Sequence, residues 1–175
     1  MTERSSTSYN IRRAGRADLA VVQQISADAY TPAYMAALGY IQKPAEEDYG
    51  PRIDRGEVWI LNSDGRDVGI AVLEEQPDHL LVYSIAVNPA EQRQGHGRAL
   101  LEFADQRAIA IGVMEIRLYT NVRMTGNIAL YRRHGYVAAG TRPHPSRAGE
   151  ALVDMMRRVG PSAITEGGRS ADDGQ

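Results

Sequence analysis

A chain of 175 residues with 43% hydrophobic side chains is long enough to form one domain with a substantial buried core. Its formal net charge of −2 argues against bulk electrostatic binding of nucleic acid, and its lack of cysteine excludes a disulfide framework, a thiolate nucleophile and a cysteine-based zinc site. No apolar run approaches the ~18 residues of a transmembrane helix, and the first residues lack the apolar core of a secretory signal, so a cytoplasmic protein with no membrane contact is expected.

The first half of the chain predicts strands on either side of one helix and an irregular segment. Residues 9–14 form a strand candidate, and Asp18 is placed to cap a helix that runs to residue 29. Residues 30–55 are rich in proline, glycine and tyrosine, so they are expected to be irregular apart from a short helix at 33–38. Two strands follow at 57–61 and 67–73, joined by the turn sequence Asn-Ser-Asp-Gly.

The second half alternates strands with helices. Strands are expected at 80–87 and 115–120, and helices at 97–111 and 125–134, the last ended by Gly135. Two terminal strands follow at 136–140 and 151–158. Polar residues at both ends predict disorder in 1–8 and 160–175, which leaves one domain at 9–159. Adjacent strands followed by alternating strands and helices predict a mixed α/β sheet.

A glycine-bearing turn between strand 80–87 and the next helix predicts a phosphate site. Backbone N–H groups at a helix start have no intrahelical partner, and the helix dipole adds partial positive charge there. The residues expected to hold a pyrophosphate-bearing cofactor are Gln92, Arg93, Gln94, Gly95, His96, Gly97, Arg98 and Ala99. A Rossmann dinucleotide site would need a third glycine where Leu100 stands, so an oxidoreductase is disfavoured.

Two motifs in order resemble the GNAT superfamily of N-acetyltransferases. Gln92-x-x-Gly95-x-Gly97 resembles its acetyl-CoA motif, and residues 127–136, Asn-Ile-Ala-Leu-Tyr-Arg-Arg-His-Gly-Tyr, resemble its tyrosine-bearing helix followed by a strand. The resemblance implies the GNAT fold, a central mixed, mostly antiparallel sheet that splays between its fourth and fifth strands and is flanked by helices. It also implies acetyl-CoA as co-substrate, no metal, and backbone contacts from Ile85, Ala86 and Val87 to the pantetheine arm. Homodimers are common in the superfamily, but no residue here specifies one.

The resemblance implies that Tyr131 is the general acid that protonates the leaving thiolate. The familiar motif also places an asparagine seven residues before this tyrosine and a small residue four before it. Here those positions hold Met124 and Asn127, so Asn127 or Asn121 is expected to make the asparagine's contact to coenzyme A.

The proton acceptor and the amine site are less closely specified by the residues. Superfamily members often use a carboxylate near the fourth strand; Glu75, at the end of the preceding strand, and Tyr83 are the candidates here, and Glu74 is adjacent. The segment 30–49 is expected to shape the amine site with tyrosines and acidic side chains that attract a cation. Its candidates are Tyr34 and Glu46, together with Tyr83 and with Tyr30, Tyr40, Tyr49, Glu47 and Asp48.

The sequence therefore predicts an acetyl-CoA-dependent N-acetyltransferase. Its acceptor would be a primary amine on a small molecule or peptide, attacking the thioester directly. A non-catalytic acyl-CoA-binding regulatory domain is the alternative, and the presence of Tyr131 argues against it.

Overall fold

A computed structural model of the chain describes residues 9–41 and 43–160. The disorder predicted for 1–8, and for 160–175 apart from Gly160, lies outside these ranges. The strands are β1 (Tyr9–Arg13), β2 (Val58–Ser63), β3 (Arg66–Glu75), β4 (Leu80–Val87), β5 (Glu115–Asn121), β6 (Val137–Pro143) and β7 (Ala151–Arg158). The helices are α1 (Leu19–Leu38), α2 (Lys43–Glu46), α3 (Gly50–Asp54), α4 (His96–Ala110) and α5 (Thr125–Arg133). None of the helices in the described ranges is long and apolar enough to cross a membrane.

The seven strands form one mixed sheet in the order β1-β2-β3-β4-β5-β7-β6. Every neighbouring pair is antiparallel except β4 and β5, which run parallel and are connected through α4. The mixed α/β sheet predicted from the alternation of strands and helices is confirmed.

The sheet opens between β4 and β5. These strands pair only at Leu80↔Ile116 and Leu81↔Arg117, whereas β5 pairs with β7 over its whole length. From residue 82 onward β4 therefore has no strand partner on this side. The splay expected between the fourth and fifth strands is confirmed, and it leaves backbone groups of β4 available to a ligand.

A β-bulge in β4 lies where the two strands separate. Val72 pairs with Ser84 and Leu73 pairs with Val82, so Tyr83 is the extra residue. A bulge bends its strand and reverses the facing of the residues that follow. Val82 accordingly packs with the core under α4, whereas Ala86 packs with the core under α1. The sequence pattern did not predict this bulge.

Two apolar cores lie on opposite faces of the sheet. One joins α4 to the central strands through fully buried side chains such as Leu100, Leu101 and Ile116. The other joins α1 and α3 to β2 and β3 through side chains such as Val22, Ile60 and Ile70. The cavity described below lies on the α1 face, at the open end of the split.

Three predictions for the N-terminal half are wrong. α1 is one helix of twenty residues that continues through Pro32 to Leu38, because burial of Tyr34 and Leu38 outweighs the hydrogen bond that proline removes. The Asp18 side chain does not cap α1; it accepts from the backbone N–H of Gly15 and from Arg12. Residues 43–46 and 50–54, predicted irregular, form the short helices α2 and α3.

Tyr49 is fully buried, and its hydroxyl joins α1 to α2. The hydroxyl lies 2.8 Å from Ser26 Oγ and donates to the carbonyl of Pro44 at 2.9 Å. We expect Tyr49→Phe to lower the free energy of unfolding by about 1–2 kcal/mol, because the buried hydrogen bonds are lost while the ring still fills its place. Urea denaturation measures this loss. Tyr9→Phe, at a 47% exposed site, is the matched control and should change stability little.

Candidate active site

The turn from Gln92 to Ala99 presents a run of unpaired backbone donors. The Gln92 amide donates to the carbonyl of Val87 at 3.1 Å and so fixes the turn to the end of β4. Arg93 (φ +60°) and Gly95 (φ +87°) are both left-handed, and Gly95 is the N-cap of α4. The N–H groups of residues 93–98 have no acceptor among the described residues. Such a concave run of N–H groups at a helix start binds anions.

The side chains of this turn lie in different surroundings. His96 is buried at 3% exposure, and its Nε2 has no hydrogen-bond partner among the described residues. Arg98 is exposed and pairs with Glu102 one turn along α4 at 2.7 Å, while the Gln94 amide donates to Glu91. A Cβ added to Gly97 would meet Leu130 at 3.9 Å, which is ordinary contact. A side chain at position 97 would therefore fit against the protein without strain.

A cavity of about 350 Å³ occupies the split between β4 and β5. Five of its lining residues are tyrosines, at 30, 34, 83, 119 and 131. Val82, Ser84 and Ile85 line it from β4, Thr120 from β5 and Leu152 from β7. Lys43 and Pro44 line it from α2, and His144, Pro145 and Ser146 line it from the loop between β6 and β7. The cavity therefore brings together five of the residues predicted from sequence: Tyr131, Ile85, Tyr34, Tyr83 and Tyr30.

Tyr30 and Tyr34 attach α1 to the two sides of the split. The Tyr30 hydroxyl lies 2.8 Å from Ser84 Oγ and donates to the carbonyl of Ile85 at 3.2 Å. The Asn127 amide donates to the Tyr34 hydroxyl at 3.0 Å. Asn127 lies one helical turn before Tyr131, so this bond also fixes the start of α5.

Asn121, the other candidate for the asparagine contact, is also bonded within the protein. Its amide donates to Glu150 at 2.7 Å and to the hydroxyl of Tyr40 at 3.3 Å, and its Oδ1 accepts from the backbone N–H of Arg123. Both amide N–H groups of Asn121 are thus used within the protein, whereas Asn127 keeps one N–H group and its Oδ1 without a partner among the described residues.

Tyr131 extends from α5 into the cavity. Among the described residues, none forms a hydrogen bond with its hydroxyl. Burial, and next the proximity of Tyr34, raise the pKa of Tyr131 well above that of an ordinary phenol. The phenol therefore stays protonated across the physiological range and can donate a proton to an anion formed beside it.

Tyr83, Glu47 and Arg52 form a bonded cluster beside the cavity. The Tyr83 hydroxyl donates to Glu47 at 2.7 Å, and the Arg52 guanidinium lies 3.7 Å from the centre of the Tyr83 ring. Arg52 also pairs with the carboxylates of Glu47, Glu57 and Glu74. Burial, and next the Glu47 carboxylate, raise the pKa of Tyr83. Because its hydroxyl is already a donor to a carboxylate, Tyr83 is poorly suited to accept a proton.

Glu75 and Glu46 lie away from the cavity. Successive residues of β3 face opposite sides of the sheet, so Glu74 reaches Arg52 on the α1 face while Glu75 pairs with Arg107 of α4 on the other face. Glu46 is exposed at the end of α2, and Asp48 bonds the backbone N–H of Gly50. Of the acidic run 46–48, the structure brings only Glu47 to the cluster beneath the cavity.

The comparisons with known proteins agree with this geometry. Residues 54–138 match the model of the acetyltransferase (GNAT) domain. A [ribosomal protein bS18]-alanine N-acetyltransferase of Escherichia coli K12 is 34% identical over 92 residues, which cover 51% of this chain and 62% of that protein. The chain thus spans about three fifths of the length of this relative.

Solved structures show the same fold over most of the chain. The crystal structure of the ribosomal-protein-S18-alanine N-acetyltransferase from Escherichia coli superposes with a TM-score of 0.70 at 22% identity, covering 90% of this chain and 98% of that one. A structure of an acetyltransferase from Salmonella typhimurium with its cofactor acetyl-CoA gives 0.67 at 19% identity, covering 90% and 97%. The likeness confirms the fold expected from the two motifs.

Proposed function

We propose that this chain, whose residues 54–138 match the acetyltransferase (GNAT) domain, transfers an acetyl group from acetyl-CoA to a primary amine. One observation carries the proposal: Ile85 of the unpaired part of β4 and the phenol of Tyr131 line one cavity. A cavity with backbone groups on one side and a proton donor on the other suits acyl transfer.

Each part of the site has a role in this reaction. The free N–H groups of residues 93–98 hold the pyrophosphate, and the backbone of Ile85, Ala86 and Val87 pairs with the pantetheine amides as an added strand would. Acetyl-CoA supplies the activated thioester. A backbone N–H of this part of β4 stabilises the developing oxyanion, and Tyr131 gives its proton to the departing sulfur.

The acceptor is an amine on a small molecule or a peptide that enters beside Tyr83. The relative from Escherichia coli is named for the alanine of ribosomal protein bS18, which is an example of a protein acceptor. Among the described residues that line the cavity, none is a carboxylate that could take the amine proton. An α-amino group, with an ordinary pKa of ~8, loses its proton far more easily near pH 7 than a lysine-like amine of ~10.4. The cavity therefore favours α-amino acceptors.

Thiol release from acetyl-CoA tests the function directly. Purified protein is mixed with acetyl-CoA and a panel of amines that includes alanine peptides, lysine, a polyamine and an aminoglycoside, and free coenzyme A is followed with a thiol reagent. We expect amine-dependent release with at least one class of acceptor. If acetyl-CoA stabilises the protein but no amine supports release, the chain is better described as an acyl-CoA-binding regulatory domain.

A further inference from the structure

The charge of the cavity wall differs from that expected of a site for polycationic amines. Of the described residues that line it, none is aspartate or glutamate, and one, Lys43, is a cation. Lys43 is exposed and makes no ion pair with any described residue. It is also the only lysine in the printed sequence, in which the other basic residues are arginines.

The carboxylates of the neighbouring Tyr83 cluster and of Glu150 are each bonded to an arginine. Glu47 and Glu74 share the Arg52 guanidinium at 2.7 Å each. Glu150 pairs with Arg123 at 3.2 Å and accepts from Asn121. These carboxylates lie outside the described lining and are held in ion pairs, whereas Lys43 is on the described wall and makes no ion pair with a described residue.

A second donor lies on the same wall. The backbone N–H of Ser146 donates to Nδ1 of His144 at 3.2 Å. The proton of the neutral imidazole is therefore on Nε2, and the ring is a hydrogen-bond donor at its free edge. Lys43 and His144 both line the cavity, so its entrance carries an ammonium and an imidazole N–H.

We propose that Lys43 and His144 select an acceptor that carries a carboxylate a few atoms from its primary amine. The carboxylate is held by the Lys43 ammonium and the His144 N–H, while the amine faces the centre of the cavity. The same ammonium disfavours the protonated form of the nearby amine, which keeps the nucleophile neutral without a carboxylate base. This inference rests on the proposed function for the location of the amine site, and it concerns which amine the site binds.

The test measures binding rather than turnover, so that it is independent of the chemistry. Calorimetry in the presence of coenzyme A compares amide-capped dipeptides Ala-Glu and Ala-Lys, and compares free alanine with alaninamide. We expect the carboxylate-bearing member of each pair to bind about tenfold more tightly. The dipeptide pair reports on a peptide acceptor and the alanine pair on a free amino acid; a preference in either pair supports the proposal.

Charge variants complete the test. Lys43→Gln should abolish the preference and Lys43→Glu should reverse it toward Ala-Lys, whereas Arg158→Gln, an exposed charge outside the cavity lining, should leave it unchanged. Equal or reversed affinities in both ligand pairs with the parent protein, or a preference that survives Lys43→Glu, would overturn the proposal. If the preference holds but no ligand is acetylated, the ligand class stands and the proposed transferase activity fails.

Discussion

Replacing Tyr131 by phenylalanine is expected to slow acetyl transfer by about 10²–10⁴-fold while acetyl-CoA affinity changes only a few-fold. The variant keeps the ring that packs 6.0 Å from Tyr136 and loses only the hydroxyl that faces the cavity. Because that hydroxyl forms no hydrogen bond with the described residues, its removal leaves no protein group unpaired. The fold should therefore be retained.

Steady-state thiol release and a thermal shift with acetyl-CoA measure the two effects separately. Tyr119→Phe is the matched control, because Tyr119 also lines the cavity but lies on β5. Full turnover in the Tyr131 variant would assign this residue to packing. A large loss in the Tyr119 variant alone would move the acid to β5.

The pH dependence of kcat should also reflect the raised pKa of Tyr131. A phenol is in its donating form below its pKa, and burial raises the pKa of Tyr131. The acid therefore stays protonated to a higher pH than a free tyrosine would. We expect no loss of kcat from its deprotonation below pH ~10. A fall in kcat near neutral pH that disappears in Tyr131→Phe would contradict this prediction.

Gly97→Val is expected to abolish stabilisation by acetyl-CoA without unfolding the protein. A ligand at 100 times its dissociation constant adds about 2.7 kcal/mol to the free energy of unfolding, and this gain should disappear. A Cβ at position 97 would make only ordinary contact with Leu130, so the protein itself can accept a side chain there. The valine would instead occupy the space in front of the free N–H groups of residues 93–98.

Gly126→Val provides a matched control for this substitution. Gly126 is the second residue of α5 as Gly97 is of α4, and a Cβ there would meet nothing within 4 Å. Thermal unfolding with and without acetyl-CoA compares the two variants. An undiminished shift in Gly97→Val would mean that the phosphates bind elsewhere.

The sequence predicted the central features of the fold because they depend on local patterns. Short apolar runs and turn residues located β2 to β5, and the glycines located the start of α4. The continuation of α1 through Pro32 was not predicted, because a proline inside a helix usually ends it. The helix continues because Tyr34 and Leu38 are buried against Met124, which is distant in the sequence. Tertiary packing outweighs local propensity at such a site.

The resemblance to the two motifs located Tyr131 and Ile85, and the tyrosines of segment 30–49 and of the fourth strand suggested Tyr30, Tyr34 and Tyr83. The structure brings these five residues to one cavity. Glu75 was a candidate proton acceptor because it ends the strand before β4. Side chains alternate along a strand, however, and Glu75 faces α4, on the side of the sheet away from the cavity. No motif pointed to Tyr119, Lys43 or His144, which come to the cavity from separate elements. The only available signal was that Lys43 is the sole lysine.

The split in the sheet is spanned at its open end by a single helix. Only two residue pairs join β4 to β5, so the strand ladder itself does little to fix how far their ends stand apart. On the α1 face, Tyr30 bonds to β4, Tyr34 bonds to α5, and Arg123 donates to the carbonyl of Ala37 at 2.6 Å. Helix α1 thus connects β4, on one side of the split, to α5 and to the segment after β5 on the other side. Its length and stiffness set the width of the gap, so substitutions along α1 can tune ligand affinity without touching the ligand.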